Sequence, residues 1–408
     1  MEWPEGPVRV SVPATSANLG PGFDTLGLAL ALHDEVEVRV TGTGLDIAVS
    51  GEGAADVADA GERHLVVRAM RVAFDDLGLP QPSGLALRCV NRIPHGRGLG
   101  SSAAAIVAGL VAARALAGAP VSPQDVLPLA SFLEGHPDNV APCLFGGLTI
   151  AWVSDQRPQP RETDPTPGGG TVRAVRLDPR PEVLPVAFIA PEPVSTKVAR
   201  GLLPATVPHA DAARNAGRAA LLVAALTTPL TTPLPALADV LLDGTEDRLH
   251  QDYRAPAMPH SHDLVTRLRA VGVAAVISGA GPTVLALLTG KSPQDAIKRL
   301  DSIAGETGID WHISPLAVER RGASVTPSVS VPGDADAEQS APSRLNPLFC
   351  DMDGCKGMPW ALSVLGWVKH RSPQCGAGAV HPRVAWGVTY TCPGIGLLAS
   401  PQESGRFS

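Results

Sequence analysis

The chain has 408 residues, of which 44% are hydrophobic and 18% are charged, and its formal net charge is -7. Length and composition indicate a globular protein of two or three domains, and the net negative charge disfavours a nucleic-acid-binding surface. The first residues lack a secretory pattern, and no apolar run approaches the roughly 18 residues of a membrane span. Six cysteines are too few for a disulfide scaffold. We therefore expect a cytoplasmic protein that binds neither nucleic acid nor membrane.

The first half of the chain alternates between strand and helix patterns. Residues 35–40 alternate between apolar and polar side chains, which predicts a strand, and apolar positions at helical spacing predict a helix over 65–77. Ser122, Pro123 and Asp125 predict the capped start of a further helix. The other predicted elements are strands at 8–14 and 85–93, a helix from Ser101 to Leu116, and a Pro- and Gly-rich interdomain loop at 156–170.

The second half predicts another mixed unit. Its predicted elements are a strand at 183–190, helices at about 211–226 and 261–271, a strand, turn and strand at 273–288, a capped helix at 292–304 and a last strand at 311–318. Helices that alternate with an antiparallel hairpin indicate a ferredoxin-like domain. We predict an α+β protein with domains at 1–155 and 171–330, followed by a linker and a poorly ordered, unassigned tail at 331–408.

The tail differs in composition from the rest of the chain. Six of its side chains could in principle bind zinc, either in place or as part of a fused metal-binding module: Cys350, Cys355, Cys375, Cys392, His370 and His381. Their spacings are irregular and no CxxC pair exists, which disfavours a zinc site. A poorly ordered extension or an out-of-frame read-through is the favoured interpretation.

The segment PHGRGLGSSAAA at 94–105 predicts a phosphate-binding loop between a strand and a helix. Its alternating glycines allow backbone N–H groups to converge on an anion, and the helix start adds partial positive charge. A serine hydroxyl there can bind Mg²⁺, and Arg97 could meet phosphate oxygens. The P-loop pattern fails because Leu285 stands at its first glycine, and the dinucleotide pattern fails at Ser101. By itself, the loop could equally be a turn into a core helix.

All eleven positions from Pro94 to Ala104 fit the signature P-x-x-x-G-L-G-S-S-A-A, which resembles that of the GHMP kinases (galactokinase, homoserine kinase, mevalonate kinase and phosphomevalonate kinase). The resemblance implies an N-terminal domain like domain 2 of ribosomal protein S5 and a ferredoxin-like C-terminal domain. It also implies ATP binding by the loop, that is by Pro94, His95, Gly96, Arg97, Gly98, Leu99, Gly100, Ser101, Ser102, Ala103 and Ala104.

Two further segments, VPATSANLGPGFDTLGLAL (12–30) and EGHPDNVAPCLFGG (134–147), resemble the homoserine kinase branch of that family. Asp24 suits the ammonium of an amino acid, and Asn18 can bond a hydroxyl or a carboxylate; as isolated residues, both are common turn formers. The resemblance implies that His136 and Asn139 line the substrate pocket, although such a histidine is otherwise more often a helix cap. Glu134 would complete Mg²⁺ coordination with Ser102.

Two arginines complete the predicted substrate site. The resemblance implies that Arg200 and Arg254 hold the substrate carboxylate, to which a forked guanidinium is well suited, and that Arg200 also acts at the γ-phosphate. A single arginine is otherwise usually a solvated surface group. The segment VISGAGPTVLAL (276–287) resembles the C-terminal glycine motif of the family, where Gly279, Ala280 and Gly281 leave room for a ligand; a hairpin turn explains the same residues. The resemblance spans residues 8 to about 330.

The resemblance implies phosphoryl transfer from MgATP to the hydroxyl of L-homoserine, with Arg200, Asn18 and Asn139 in catalytic roles. No Asp base with a Lys partner is found, so Asn18 is expected to polarise the hydroxyl while water or the phosphate takes the proton; Asp138 is the rival base. The alternatives are a kinase for another alcohol, such as mevalonate or a sugar, and a nucleotide-binding sensor without turnover. Homodimers are common in the family.

Overall fold

The computed structural model describes residues 3–4, 6–57, 59–154, 170–229, 236–289 and 293–327. The chain divides into one unit from Met1 to Asp336 and another from Ala337 to Ser408. All described residues lie in the first unit. The predicted loop at 156–170 (Gly170 excepted), the cap residue Ser292 and the six cysteines and histidines of the tail lie outside the described residues.

The strands and helices are numbered in chain order. The strands are β1 (Val8–Ala17), β2 (Leu26–Thr41), β3 (Gly44–Gly51), β4 (Gly84–Asn91), β5 (Leu148–Ser154), β6 (Thr171–Leu177), β7 (Val183–Ile189), β8 (Ala274–Ile277), β9 (Val284–Thr289), β10 (His312–Pro315) and β11 (Ser324–Pro327). The helices are α1 (Ala54–Val57), α2 (Leu65–Asp76), α3 (Ser101–Leu116), α4 (Pro123–Glu134), α5 (Pro137–Phe145), α6 (Thr196–Gly201), α7 (His209–Thr227), α8 (Leu237–Gly244), α9 (Gln251–Arg254), α10 (Pro259–Ala270) and α11 (Pro293–Gly305).

The first sheet has seven strands in the order β11-β1-β2-β4-β3, and β5 joins it by pairing with both β2 and β6. The long strand β2 makes this branch possible, because residues 26–28 pair with β5 and residues 35–41 pair with β4. All pairs are antiparallel except β3 with β4, which are parallel and joined through α2. Parallel neighbours require such a crossover.

Helix α3 packs against both α2 and β1 and is buried on most of its faces. Its alanine-rich sequence explains this, since small side chains let neighbouring elements approach closely. Gly109 is a point of close approach to α2, because a Cβ atom there would clash with the Val66 carbonyl oxygen and lie 2.7 Å from Cβ of Ala69. The bounds of this helix, Ser101 to Leu116, are those that the sequence predicts. Its first turn is therefore fixed in the core just after the glycine loop.

The second sheet has four antiparallel strands in the order β10-β7-β9-β8. Numbered within this sheet, the order is 4-1-3-2, and α10 and α11 pack together beside it. This is the split βαβ arrangement that the alternation of helices and hairpin predicts. The predicted α+β fold class, with a ferredoxin-like C-terminal part, is confirmed.

Several details differ from the sequence-based predictions. Strands β6 and β11 fall inside the range predicted for the second domain but pair with the first sheet, so the boundaries at 155 and 171 remain predictions. The Ser122 hydroxyl does not cap α4; it donates to the side chain of Gln124 instead. Among the helices that the structure describes, none combines the length and apolarity needed to cross a bilayer.

Candidate active site

The motifs predicted from sequence meet at a cavity of about 280 Å³. Its walls come from the glycine loop at 96–102, the segment Glu134 to Asn139, the helix α6, the turn 279–281 and the side chains of Asn18 and Arg254. These segments are far apart in the chain, and the two sheets and α3 bring them together. The cavity is therefore the candidate active site.

The glycines of the loop line this cavity. Gly96, Gly98 and Gly100 all have positive φ, at 66°, 76° and 73°. A side chain could not replace the hydrogen at Gly98, since a Cβ atom there would lie 2.9 Å from the Gly281 carbonyl oxygen. Among the described backbone hydrogen bonds, none is donated by an N–H between Gly96 and Gly100. These donors can therefore bind an anion.

Three successive carbonyl groups of the loop bond to residues beside the second sheet. The pairs are Val194 N–H to Gly96 O at 3.1 Å, Thr283 N–H to Arg97 O at 3.3 Å and the Ser278 hydroxyl to Gly98 O at 2.6 Å. Because these carbonyls accept hydrogen bonds from residues beside the second sheet, they do not point toward a bound anion. The second sheet thus orients the loop.

The predicted metal ligands lie together at the start of α3. The Ser102 hydroxyl donates to Oε2 of Glu134 at 2.5 Å. Burial raises the pKa of Glu134 more than this hydrogen bond lowers it. Both side chains offer oxygen atoms, which hard divalent cations prefer. Among the described residues no group of three or more His, Cys, Asp or Glu side chains could hold a metal.

The segment after Glu134 contributes a chain of polar contacts. His136 Nδ1 lies 2.5 Å from Oδ1 of the buried Asp138. Burial alone would lower the pKa of His136, but the hydrogen bond to Asp138 and the charges of Asp138 and Glu134 together raise it. Asn139 accepts a hydrogen bond from the Thr15 hydroxyl at 2.8 Å. His136 stands at the N-cap position of α5, but its side chain does not cap the helix.

Asn18 lies at the cavity wall, and its side chain links the backbones of two other segments. Its φ is 69°, and it is 3% exposed. Its Oδ1 accepts the N–H of Asp24 at 2.9 Å, and its Nδ2 donates to Gly279 O at 2.9 Å. The oxygen is thus already bonded, which leaves the second N–H of the amide for a substrate oxygen.

Asp24 and Arg200 bind each other. Two nitrogens of the Arg200 guanidinium donate to the two oxygens of the Asp24 carboxylate at 3.0 and 2.6 Å. Arg200 lines the cavity, whereas Asp24 is not among the described residues of its wall. The hydrogen bond to Asp24 raises the pKa of Arg200 further.

Arg254 is fully buried, at 1% exposure. It donates to Gly279 O at 3.2 Å and to Nδ1 of His250 at 3.3 Å, while its Nε has no partner among the described residues. Burial and the charge of Arg200 lower its pKa, but a guanidinium stays protonated. The Phe23 ring lies 5.2 Å from the Arg254 guanidinium and 5.6 Å from that of Arg200, within cation–π range.

Not every predicted ATP-binding residue faces the cavity. The Arg97 guanidinium, expected at the phosphate, instead donates to the carbonyls of His95, Ala190 and Pro191. The bonds to Ala190 and Pro191 hold the loop to the residues that follow β7. Leu99, Ala103 and Ala104 are fully buried in the core. Pro94 lies with Arg97 beside a separate surface pocket.

A second cavity of about 220 Å³ adjoins the first and shares Ser101 and Ser102 with it. Its lining is largely apolar, from β1, β2, α2 and α3, with His64 and His95 among its polar groups. Nδ1 of His64 is buried without a hydrogen-bond partner among the described residues. Burial and the charge of His95 lower the pKa of His64.

Sequence reasoning missed four side chains that position the site. Phe23 contacts both arginines, and His250 bonds Arg254 and the Gly20 carbonyl at 2.7 Å. The hydroxyls of Thr15 and Ser278 hold Asn139 and the glycine loop. Phe23 and Thr15 stand within the motif 12–30 and could have been named from it. The i to i+4 spacing of His250 and Arg254 was a further signal.

A chain with this fold and this glycine loop is a GHMP kinase. The family model "GHMP kinases N terminal domain" matches residues 64–147, and "GHMP kinases C terminal" matches residues 232–305. The cavity lies where these two parts meet.

Full-length relatives narrow the class. The chain is 52% identical over 323 residues to the homoserine kinase of Streptomyces coelicolor, covering 78% of this chain and 94% of that protein. It is 53% identical to the homoserine kinase of Streptomyces avermitilis, covering 78% and 96%. The crystal structure of homoserine kinase from Cytophaga hutchinsonii matches with a TM-score of 0.64 and 28% identity, covering 80% of this chain and 99% of that one. The chain therefore belongs to the homoserine kinases of the GHMP kinase family, as its motifs predict.

Proposed function

We propose that this protein transfers the γ-phosphoryl group of ATP to the hydroxyl of L-homoserine, giving O-phospho-L-homoserine for threonine biosynthesis. One observation carries the proposal: an anion-binding glycine loop, a serine–glutamate pair and two guanidinium groups open on the same cavity of about 280 Å³. This combination suits a nucleotide phosphate beside a small substrate with a carboxylate. The relatives named homoserine kinase agree with it.

The nucleotide spans both cavities in this proposal. The N–H groups of the glycine loop and the start of α3 bind its phosphates. The apolar second cavity, which shares Ser101 and Ser102 with the first, takes the base. His64 lies there with an unpartnered nitrogen, which gives the base a polar contact. ATP use follows from the family, whereas this placement is our proposal.

Ser102 and Glu134 would hold Mg²⁺. Their oxygens already lie 2.5 Å apart at the cavity wall, and the donor set fits a hard cation that keeps several waters. Bound there, the ion would neutralise charge on the phosphates.

L-Homoserine is held at its charged end. Asp24 meets its ammonium, and Arg200 and Arg254 meet its carboxylate. A guanidinium presents two parallel donors to a carboxylate, and the buried Arg254 has an unpartnered Nε for this purpose. Neither mevalonate nor a neutral sugar would use both the acidic and the basic groups, which favours an amino acid. His136 lines the pocket at the other end.

The reaction is mostly positioning and charge stabilisation. The loop N–H groups and Arg200 stabilise charge on the transferring group. Asn139, held by Thr15, and the remaining N–H of Asn18 orient the substrate hydroxyl. The proton goes to water or to the phosphate; Asp138, bonded to His136 in the same wall, is the alternative acceptor. We expect the reaction in the cytoplasm, and a homodimer remains a prediction.

A substrate panel tests the proposal. ADP release is measured with L-homoserine, mevalonate, galactose and L-serine, with and without Mg²⁺. We expect magnesium-dependent release with L-homoserine at least about 100-fold above the others in kcat/KM, because only this substrate matches both charges and the chain length. ATP binding without turnover of any alcohol would instead support a nucleotide sensor, and faster turnover of mevalonate or galactose would favour another GHMP kinase activity.

A further inference from the structure

The ion pair between Asp24 and Arg200 uses up two charges that a substrate needs. In the proposed function, on which this inference rests, Asp24 meets the ammonium of the substrate and Arg200 its carboxylate. In the structure the two side chains bind each other through two hydrogen bonds, at 3.0 and 2.6 Å. Neither group can meet a substrate charge at full strength while this pair is closed.

Asp24 is the fixed partner of the pair. It has a φ of 54°, and its N–H donates to Asn18, which in turn donates to Gly279 O. Arg200 is the adjustable partner: it lies on the short helix α6, where Ala199 is the one fully buried residue. A long side chain on a thinly packed helix can turn away from a fixed carboxylate at small cost.

Arg254 differs from Arg200 in its pairing. It is buried beside Arg200, and none of the described carboxylates lies within 4 Å of it. The cavity wall therefore holds one guanidinium that is paired with an internal carboxylate and one that is not. An incoming carboxylate can bind Arg254 at once, but it must compete with Asp24 for Arg200.

We propose that the site selects zwitterions by exchanging this ion pair: the ammonium of the substrate replaces Arg200 at Asp24, and its carboxylate replaces Asp24 at Arg200. Only a ligand with both charges re-pairs both groups. A ligand with a carboxylate alone leaves Asp24 unpaired, and one with an ammonium alone leaves Arg200 unpaired. An unpaired, partly desolvated charge is costly. A ligand with a single charge therefore loses more binding free energy than the missing contact alone would account for.

Calorimetry on the full chain, saturated with Mg²⁺ and a non-hydrolysable ATP analogue, tests the exchange. The probes are L-homoserine, 4-hydroxybutyrate, which lacks the ammonium, and 3-amino-1-propanol, which lacks the carboxylate. In the wild type we expect both analogues to bind at least about 100-fold more weakly than L-homoserine.

The Asp24→Asn variant separates exchange from simple contact. It frees Arg200, so 4-hydroxybutyrate should bind about tenfold more tightly than to the wild type, while L-homoserine binds about 100-fold more weakly. Reciprocally, Arg200→Gln should bind 3-amino-1-propanol more tightly than the wild type does. Asp252→Asn is the matched control, since it removes a negative charge from α9, two residues from Arg254, without opening the pair, and the Kd of 4-hydroxybutyrate should stay within about twofold.

Three outcomes would overturn the exchange: no gain of 4-hydroxybutyrate binding in Asp24→Asn, no gain of 3-amino-1-propanol binding in Arg200→Gln, or a gain of 4-hydroxybutyrate binding in Asp252→Asn equal to that in Asp24→Asn. An unchanged far-ultraviolet circular dichroism spectrum and a cooperative thermal transition verify that each variant is folded. If wild-type protein neither binds nor phosphorylates L-homoserine, the proposed function itself fails, and that result is distinct from those three.

Discussion

Arg200 and Arg254 belong to one substrate site but have different surroundings. The Arg200 side chain is 35% exposed and paired with a carboxylate, whereas Arg254 is 1% exposed and bonded to uncharged groups. Phe23 contacts both guanidinium groups, which keeps the two side chains close to each other. Replacement of the two arginines should therefore affect kcat and KM differently.

We predict that Arg200→Ala lowers kcat by about 100-fold or more, because it removes a charge that acts on the transferring group. Arg254→Ala should chiefly raise KM for L-homoserine, with kcat within about threefold, because its carboxylate contact is the same before and during transfer. Steady-state kinetics of both variants measures this. A reversed pattern would mean that the two roles are exchanged.

Asp138 is the alternative to water or phosphate as acceptor of the proton from the substrate hydroxyl. It is 1% exposed, lines the cavity and is bonded to His136. We predict that Asp138→Asn keeps kcat within about fivefold, because the leaving proton can pass to water or phosphate. A loss of about 100-fold in kcat at unchanged KM would make Asp138 the general base.

At the scale of elements, the glycine loop is held by the second sheet. Its carbonyls accept hydrogen bonds at Gly96, Arg97 and Gly98. In return, the Arg97 side chain donates to the carbonyls of Ala190 and Pro191, which follow β7. These reciprocal bonds fix the direction of the loop N–H groups before a nucleotide arrives. Such preorganisation lowers the cost of binding.

Variants of Arg97 can distinguish a side chain that holds the glycine loop from one that contacts phosphate directly. We predict that Arg97→Ala raises KM for ATP about tenfold, and that Arg97→Lys does not restore it, because one ammonium cannot bond three dispersed carbonyls. Initial rates at varied ATP, with L-homoserine saturating, measure the effect. Full rescue by lysine, with an effect that disappears at high salt, would support the phosphate contact that the sequence predicts.

Another element-level feature is the cluster of arginines around Glu246. Arg214 and Arg218 of α7 and the nearby Arg248 all donate to this carboxylate. The hydrogen bonds from Arg214 make the largest contribution to lowering the pKa of Glu246 to about 2. The ordinary value is 4.5. A folded pKa below the unfolded value stabilises the protein above pH 4.5, and this stability is lost as the pH falls from 4.5 toward 2.

We therefore predict that Glu246→Gln lowers the free energy of unfolding at pH 7 by about 1–3 kcal/mol. The difference in free energy of unfolding between this variant and the wild type should be smaller at pH 3. Urea denaturation at both pH values measures it. Glu182→Gln is the control, because Glu182 is 57% exposed and its pairing distance to Arg180 is 3.6 Å, so little change is expected. Equal effects of the two variants would contradict the role of the cluster.

At the scale of the whole molecule, the residues assigned to the site lie between Thr15 and Gly281, well within the compact unit Met1–Asp336. The sequence resemblance likewise ends near residue 330. We predict that a chain of residues 1–332 keeps kcat and both KM values within about twofold of the full chain, measured by coupled ADP release, since it retains the described strands of both sheets. A loss of about tenfold would show that the remaining residues contribute to activity.

Much of this protein could be predicted from local sequence. The helix from Ser101 to Leu116, the preceding glycine loop and the motif 12–30 depend on residues close together in the chain, so propensity and spacing determined them. The fold class followed from the order of such elements, and the family from the motifs. Strand β11 has four residues and lacked a strong pattern, whereas β3 alternates at Leu45, Ile47 and Val49 and was missed. The pairing of both strands with the first sheet was not foreseen.

Only the tertiary structure decided which charged groups bind each other. Arg97 bonds a carbonyl 93 residues away, and Arg200 bonds Asp24 across 176 residues. Such pairings depend on distances and burial that arise when the two sheets pack, and no local propensity encodes them. The sequence thus determined what chemistry the protein carries, whereas packing decided which side chains face the substrate and which hold the protein.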